Sequence, residues 1–251
     1  MIRGRVMADN ALPTLRRDAL LSVGAVGGAL AVVLGLVVNA DGLSAAQGLA
    51  ALAAYLVLAA AVICGLAAHL PQQRFGLANL LTLARGAGVV ALTGFLAGPL
   101  DTRLLWIASL LAFLCIALDG VDGWLARRFT TASAFGARFD MEVDAFLMLV
   151  LGLLLVASGT LGVWVLLIGA ARYLFVAAGW LVLALQAPLP YSERRRAVCV
   201  FQGLALVLAL IPHLEPFVAS HAAVAGVMAT LWSFGVDIRY LLRARPAQSA
   251  E

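Results

Sequence analysis

Long apolar stretches recur along the chain, and short polar connections separate them. A helix that crosses a membrane needs about 20 mostly apolar residues. Eight stretches approach or exceed this length, at residues 19–40, 45–69, 79–98, 103–126, 137–158, 161–186, 197–212 and 218–241. The pattern predicts an all-α integral membrane protein with about eight transmembrane helices.

Composition agrees with this class of protein. The 251 residues are 64% hydrophobic and 12% charged, and the mean hydropathy is +1.03, whereas about a quarter of the residues of a soluble domain are charged. The net charge of +4 does not indicate a nucleic-acid partner, because the arginines lie mainly in short segments between apolar stretches. That distribution fits the excess of basic residues in cytoplasmic loops of membrane proteins.

The arginines also predict the topology. Basic residues flank both ends of the chain: Arg3, Arg5, Arg16 and Arg17 precede the first span, and Arg243 and Arg245 follow the last. We therefore expect both termini on the cytoplasmic side, in a bacterial inner membrane. The expected organisation is a cytoplasmic leader (1–18), two additional spans (19–70), a six-helix catalytic core (71–241) and a cytoplasmic tail (242–251). The two additional spans carry few polar residues beyond Gln47 and Tyr55, which favours packing or oligomerisation, including a homodimer.

Acidic residues concentrate in one stretch, Leu118–Phe146, between two apolar runs. The stretch contains Asp119, Asp122, Asp140, Glu142 and Asp144. On a helix, Asp119 and Asp122 lie ~60° apart, and Asp140 and Asp144 lie ~40° apart, so each pair shares one face. Two carboxylates ~4 Å apart repel by about 4 kcal/mol at an effective dielectric constant of 20. The cluster therefore needs cations or protons, and oxygen ligands suit Mg²⁺ or Mn²⁺.

Fixed spacing links these carboxylates to two glycines, an alanine and an arginine. The pattern is Asp119-x2-Asp122-Gly123-x2-Ala126-Arg127-x8-Gly136-x3-Asp140-x3-Asp144. It resembles the signature of the CDP-alcohol phosphotransferases, integral membrane enzymes of phospholipid synthesis that displace CMP from a CDP-linked alcohol. The resemblance covers about residues 70–241. It implies that Asp119, Asp122 and Asp140 are metal ligands, that Asp144 is the general base and touches a second metal ion, and that two Mg²⁺ or Mn²⁺ ions bind.

Further residues are expected to bind the nucleotide. Gly123 and Gly136 would let a nucleotide approach the backbone, Ala126 is small where helix and ligand crowd, and Arg127 can offer a bidentate fork to a phosphate. Many relatives begin their core with a stretch similar to Asn79–Arg85, in which Asn79, Thr82 and Arg85 share a helix face. The resemblance places this stretch beside the nucleotide. Its alternative interpretation is a capping asparagine with an arginine that reaches the membrane surface.

Four arginines are candidates to bind the acceptor alcohol. Arg172 lies well inside an apolar span, where a buried arginine needs an anionic partner, and relatives often carry an arginine in the corresponding helix. Arg194, Arg195 and Arg196 precede the seventh span. They could bind an acceptor phosphate, or they could mark the cytoplasmic side and contact anionic lipid.

The predicted reaction transfers a group from a CDP-linked alcohol, with CDP-diacylglycerol favoured as the membrane-lipid substrate, to an acceptor alcohol. Four cations favour a phosphorylated acceptor such as glycerol 3-phosphate, while serine, an inositol phosphate and other alcohols remain open. An intramembrane Mg²⁺-dependent prenyltransferase is one alternative, although its two acidic motifs lie far apart along the chain. A cation transporter is another, but it would not need Arg127 and two glycines at fixed offsets.

Overall fold

The computed structural model describes residues 2–70, 74–128, 133–187 and 189–244, and for 2–12, 68, 121–128, 134 and 244 it describes the backbone alone. Every regular element in these residues is helical. The α-helices are α1 (Ile2–Asn39), α2 (Ala45–Gly65), α3 (Leu77–Phe95), α4 (Thr102–Arg128), α5 (Ala134–Ala157), α6 (Leu167–Leu181), α7 (Glu193–Leu210) and α8 (Pro216–Ala244). The all-α prediction is confirmed for this part of the chain.

Six of the helical segments in the described residues are long and apolar enough to cross a membrane, so the chain is an integral membrane protein. They are Pro13–Asn39, Ala45–Gly65, Leu77–Phe95, Thr102–Gly120, Val163–Leu181 and Pro216–Arg243. Helices α5 and α7 match predicted spans in position, but each begins with a cluster of charged residues. Eight crossings therefore stay a prediction.

Two predicted boundaries differ from the structure. Helix α1 begins at Ile2, so residues 2–18, expected as a leader, continue into the first span as one helix. The span expected at 161–186 is instead a 3₁₀ turn (Val163–Leu166), helix α6 and a second 3₁₀ turn (Leu183–Gln186). Hydropathy measures only how long an apolar stretch is. It does not detect the change between α-helical and 3₁₀ hydrogen bonding at the two turns that flank α6.

The chain divides into two compact units, residues 1–104 with 110–144, and residues 105–109 with 145–251. In the first unit the two additional helices hold α3. The Gln47 side chain completes a capping box with Ser44 at the start of α2, and its amide donates to the carbonyl of Phe95 at the end of α3. A Cβ on Gly94 would lie 2.5 Å from the Gln47 carbonyl oxygen. Glycine therefore permits the close approach of α2 and α3.

The second unit contains α6, α7 and α8 together with most of α5. Gly169 of α6 lies against the backbone of α5, where a Cβ would be 2.3 Å from the Cα of Leu149. Between α7 and α8, the Thr230 hydroxyl donates to the side-chain oxygen of Gln202. Small residues and an interhelical hydrogen bond are thus among the contacts that hold this bundle.

Candidate metal centre

Helix α3 presents Arg85 to the acidic residues of α4 and α5, all within the first unit. The guanidinium donates through Nη1 to Asp119 Oδ1 at 2.8 Å. Through Nη2 it donates to Asp140 Oδ1 at 2.5 Å and to Asp144 Oδ1 at 3.0 Å. Arg85 is 1% exposed, whereas the three carboxylates keep 23–38% of their side-chain surface exposed. The three acids form one cluster, with the arginine on its buried side.

The donor set of this cluster suits a divalent cation. One carboxylate oxygen from each of Asp119, Asp140 and Asp144 lies within 4.8 Å of the others, and oxygen-only ligands match the preference of Mg²⁺ and Mn²⁺. The positive guanidinium offsets part of the repulsion among the three acids. A bound cation would reduce the same repulsion further. The carboxylates therefore fit the metal that the sequence pattern implied.

Small residues beside Arg85 let the neighbouring helices come close. A Cβ on Gly88 would lie 2.9 Å from Cys115 Sγ of α4, and a Cβ on Gly86 would lie 3.0 Å from Leu58 of α2. The Cys115 thiol also donates to the backbone carbonyl of Arg85 at 3.7 Å. Close packing of α2 and α4 against α3 thus fixes the position of the Arg85 backbone.

The remaining signature residues divide into two groups. The side chains of Asp122, Ala126 and Arg127, together with the environment of Gly123, lie outside the described residues, although the backbone of α4 continues through these positions to Arg128. Gly136 is described, and a Cβ there would lie 2.7 Å from Asn79 Oδ1. Glycine at 136 is therefore explained by the contact between α5 and α3, and a role toward a nucleotide stays a prediction.

The polar residues at the start of α3 bond to backbone carbonyls four residues before them, Asn79 to a residue just before the helix and Thr82 within it. The amide of Asn79 donates to the carbonyl of Phe75 at 2.6 Å, and the hydroxyl of Thr82 donates to the carbonyl of Ala78 at 3.1 Å. Both side chains are buried. These contacts are the local ones expected of Asn and Thr in helices, so nucleotide binding by them also stays a prediction. Arg85, expected beside the nucleotide, contacts the carboxylates.

The arginines expected on the acceptor side lie in the second unit, and two of them share an acidic partner that sequence reasoning missed. Asp237 of α8 accepts hydrogen bonds from Arg194 and from Arg195, the second at 3.3 Å. Arg194 also donates to the carbonyl and hydroxyl oxygens of Ser233 at 2.6 Å. Arg196 is exposed and Arg172 is half-buried. Asp237 is an acid within the candidate span Pro216–Arg243, which was the available signal.

Comparison with protein families identifies the class. The family model for CDP-alcohol phosphatidyltransferase matches residues 75–233, which is more than half of the chain. The chain belongs to this family. Comparison with curated proteins gives no match, and comparison with solved structures gives none either.

Family membership gives the general activity. The protein is a membrane-embedded transferase that acts on a CDP-alcohol and an acceptor alcohol. The family depends on a divalent metal, and the Asp119, Asp140 and Asp144 cluster lies within the matched residues. The prenyltransferase and cation-transporter alternatives are disfavoured, because the family that matches the acidic motif catalyses transfer from a CDP-alcohol rather than prenyl transfer or ion transport.

Proposed function

We propose that the protein transfers a phosphatidyl group from CDP-diacylglycerol to the hydroxyl of a small phosphorylated alcohol and releases CMP. The observation that carries the proposal is the convergence of Asp119, Asp140 and Asp144, all inside the family match. The first comes from α4 and the others from α5. A lipid-linked donor also suits a protein whose described residues include six helices apolar enough to cross a membrane, because a diacylglycerol chain partitions into the bilayer.

The metal ligands in this proposal are Asp119, Asp122, Asp140 and Asp144, and the metal is two ions of Mg²⁺ or Mn²⁺. When bound, the ions would neutralise the pyrophosphate and stabilise the charge that develops on the leaving phosphate of CMP. Glu142 is exposed and belongs to the opposite face of α5. It is therefore assigned no ligand role.

Asp144 is the proposed general base. Its carboxylate would accept the proton of the acceptor hydroxyl while the hydroxyl oxygen forms a bond to the β-phosphorus of the CDP-lipid. The bond from that phosphorus to the oxygen bridging the two phosphates breaks, and CMP leaves with the bonding electron pair. The products are CMP, the phosphodiester lipid and one proton, so atoms and charge balance.

Binding of the nucleotide is assigned to Gly123, Ala126, Arg127 and Gly136, with Asn79 and Thr82 beside them. Support comes from their place in the signature pattern and from the chemistry of arginine with phosphate. Arg85 is assigned a different role from the one first expected. Because its guanidinium bonds to three carboxylates, we assign it to holding the ligands together.

The acceptor is proposed to be a phosphorylated polyol such as glycerol 3-phosphate, because a phosphate dianion near acidic groups needs fixed positive charge. Arg172, Arg194, Arg195 and Arg196 are the candidates to supply it. Arg194 and Arg195 also bond to Asp237, which gives these two a structural role as well. The acceptor KM of Arg172→Gln and Arg196→Gln should rise, whereas Arg194→Gln should mainly lower stability.

The topology of the active site is also proposed. The arginine distribution supports a cytoplasmic location for the acidic cluster and for both termini. A cysteine introduced at Arg196 should react with a membrane-impermeant maleimide in inverted vesicles and be protected in intact cells. Labelling in intact cells instead would reverse the orientation.

The test of the proposed function is release of CMP by purified protein in lipid nanodiscs. CDP-diacylglycerol is supplied with one acceptor at a time, and mass spectrometry identifies the lipid product. We expect CMP and the corresponding phosphatidyl product with glycerol 3-phosphate, and neither product from Asp144→Asn. Glu142→Gln, an acidic residue of the same helix, is the matched control and should retain turnover. Wild-type protein that releases no CMP with any alcohol would refute the assignment.

A further inference from the structure

The short segment Arg74–Gly76 leads directly into α3, the helix that carries Arg85. Gly76 has φ = +82° and provides no side-chain cap for the helix. A positive φ favours glycine, because a Cβ would clash with the backbone. The direction in which α3 begins must therefore be set by whatever holds Arg74 and Phe75.

Asp18 of α1 holds this segment from one side. Its Oδ2 accepts a hydrogen bond from the backbone N–H of Phe75 at 2.7 Å. Leu15 and Ala19, on either side of Asp18 along α1, are fully buried, and Phe75 is 1% exposed. The carboxylate is thus anchored by a packed helix face, and a charge-assisted hydrogen bond of this type is stronger than a neutral one.

His69, which follows α2, holds the same segment from the other side and connects it to α5. The ring is 2% exposed. Its Nε2 lies 2.9 Å from the carbonyl oxygen of Arg74, and its Nδ1 lies 2.7 Å from Ser133 Oγ. Because a carbonyl can only accept, Nε2 carries a proton, and in the neutral ring Nδ1 accepts from the Ser133 hydroxyl. Ser133 Oγ in turn accepts from the N–H of Gly136 at 3.0 Å.

Asp18, His69 and Ser133 hold the starts of α3 and α5 through these bonds, and we call the three residues the brace. Along the chain, Asp140 follows Gly136 by about one helical turn and Arg85 follows Asn79 by less than two. A shift at the start of α3 or α5 is therefore carried to the point where Arg85 meets the carboxylates. Asp18 and His69 both lie outside the residues 75–233 that match the family model.

We infer that the two additional N-terminal helices position the metal centre, with Asp18 and His69 as positioning residues that fix the starts of α3 and α5. The inference rests on the proposed function in taking the carboxylates as metal ligands. It gives α1 and α2 a role beyond packing in the membrane. Residues that hydrogen-bond directly to metal ligands typically change metal affinity or activity about 10- to 100-fold, and we expect an effect of this order from residues that fix the helices carrying the ligands.

The test compares His69→Phe with Tyr55→Phe in the full chain in nanodiscs. Tyr55 donates to the carbonyl of Val23 at 2.6 Å, so its loss removes a bond between α2 and α1 without touching the brace. His69→Phe should weaken Mn²⁺ binding, measured by electron paramagnetic resonance, about 10- to 100-fold. It should also speed hydrogen exchange at residues 74–86 and 133–144. Tyr55→Phe should do neither, even where thermal stability falls by a similar amount.

Milder variants keep the test decisive if His69→Phe does not fold. His69→Asn keeps an acceptor near the position of Nδ1 and loses the bond to Arg74, while Asp18→Asn keeps an acceptor and loses the charge. Each should give a smaller change in Mn²⁺ affinity and in exchange. Unchanged affinity and exchange in the His69 variants, or equal changes in Tyr55→Phe, would overturn the inference. A protein whose Mn²⁺ site follows these expectations but which releases no CMP would overturn the proposed function alone.

Discussion

Replacing Arg85 with glutamine removes the positive charge that Asp119, Asp140 and Asp144 share. Their oxygens lie within 4.8 Å of one another, and at that separation each pair of charges repels by about 3.5 kcal/mol at an effective dielectric constant of 20. At that separation the three pairs sum to about 10 kcal/mol, and the repulsion falls if one carboxylate takes up a proton. Loss of one partner of a fully buried ion pair costs about 3–5 kcal/mol, which is an upper limit here because the carboxylates keep 23–38% of their side-chain surface exposed.

For a chain of this size, that loss corresponds to a fall in the midpoint of thermal unfolding of roughly 6–20 °C. The fall should be seen in EDTA by intrinsic fluorescence of protein in nanodiscs. Mn²⁺ at about 100 times its dissociation constant should restore about 2.7 kcal/mol. At one fixed Mn²⁺ concentration the stabilisation should be larger in Arg85→Gln than in wild type, because the ion then meets a cluster with more uncompensated negative charge.

Arg103→Gln provides the control. It removes the same charge from the same unit, but Arg103 is exposed at the start of α4. Its unfolding midpoint should stay close to that of wild type, with the same response to Mn²⁺. An Arg85→Gln protein that unfolds in EDTA at the wild-type temperature would refute the reasoning, as would an equal Mn²⁺ shift in all three proteins.

Three further outcomes are expected. Gly136→Ala should cost about 1–3 kcal/mol by overpacking, since its Cβ would lie 2.7 Å from Asn79 Oδ1, and a normal unfolding midpoint with full CMP release would contradict the contact. Asp237→Asn should lower stability by about 3–5 kcal/mol because it breaks the pair with Arg194, and an unchanged acceptor KM would assign the pair to structure. Gln47→Ala should cost about 1–3 kcal/mol through its buried hydrogen bond and cap. It should leave CMP release unchanged, and loss of turnover without loss of stability would contradict that role.

Much of the fold follows from the sequence because apolar length and helical period are local properties. The positions of the eight helices and the shared face of Asp140 and Asp144 could be predicted in this way. The start of α1 at Ile2 could not, because residues 2–18 are too polar to register as part of a span. The 3₁₀ turns around α6 were missed for a related reason, since their residues are as apolar as the helix between them.

The residues that could bind a metal were predictable from the sequence. Most of the contacts that hold those residues in place were not. The spacing of Asp119, Asp140 and Asp144 indicated a shared cation, and the structure brings them together. Their bond to Arg85 depends on how α3 packs against α4 and α5, which no local pattern specifies. The roles of Asp18 and His69 were not predicted for the same reason, because their hydrogen-bond partners Phe75 and Ser133 lie 57 and 64 residues away along the chain.

The carboxylates of α4 and α5 are proposed to hold the metal at which CMP is displaced. The most direct measurement follows Mn²⁺ binding and CMP release in parallel, in wild type, Asp119→Asn and Glu142→Gln. We expect Asp119→Asn to lose Mn²⁺ affinity and turnover together by orders of magnitude while staying folded, because removing one of several crowded charges relieves repulsion. Glu142→Gln should match wild type in both quantities. An Asp119→Asn protein that releases CMP at the wild-type rate, or full turnover in EDTA, would contradict the account.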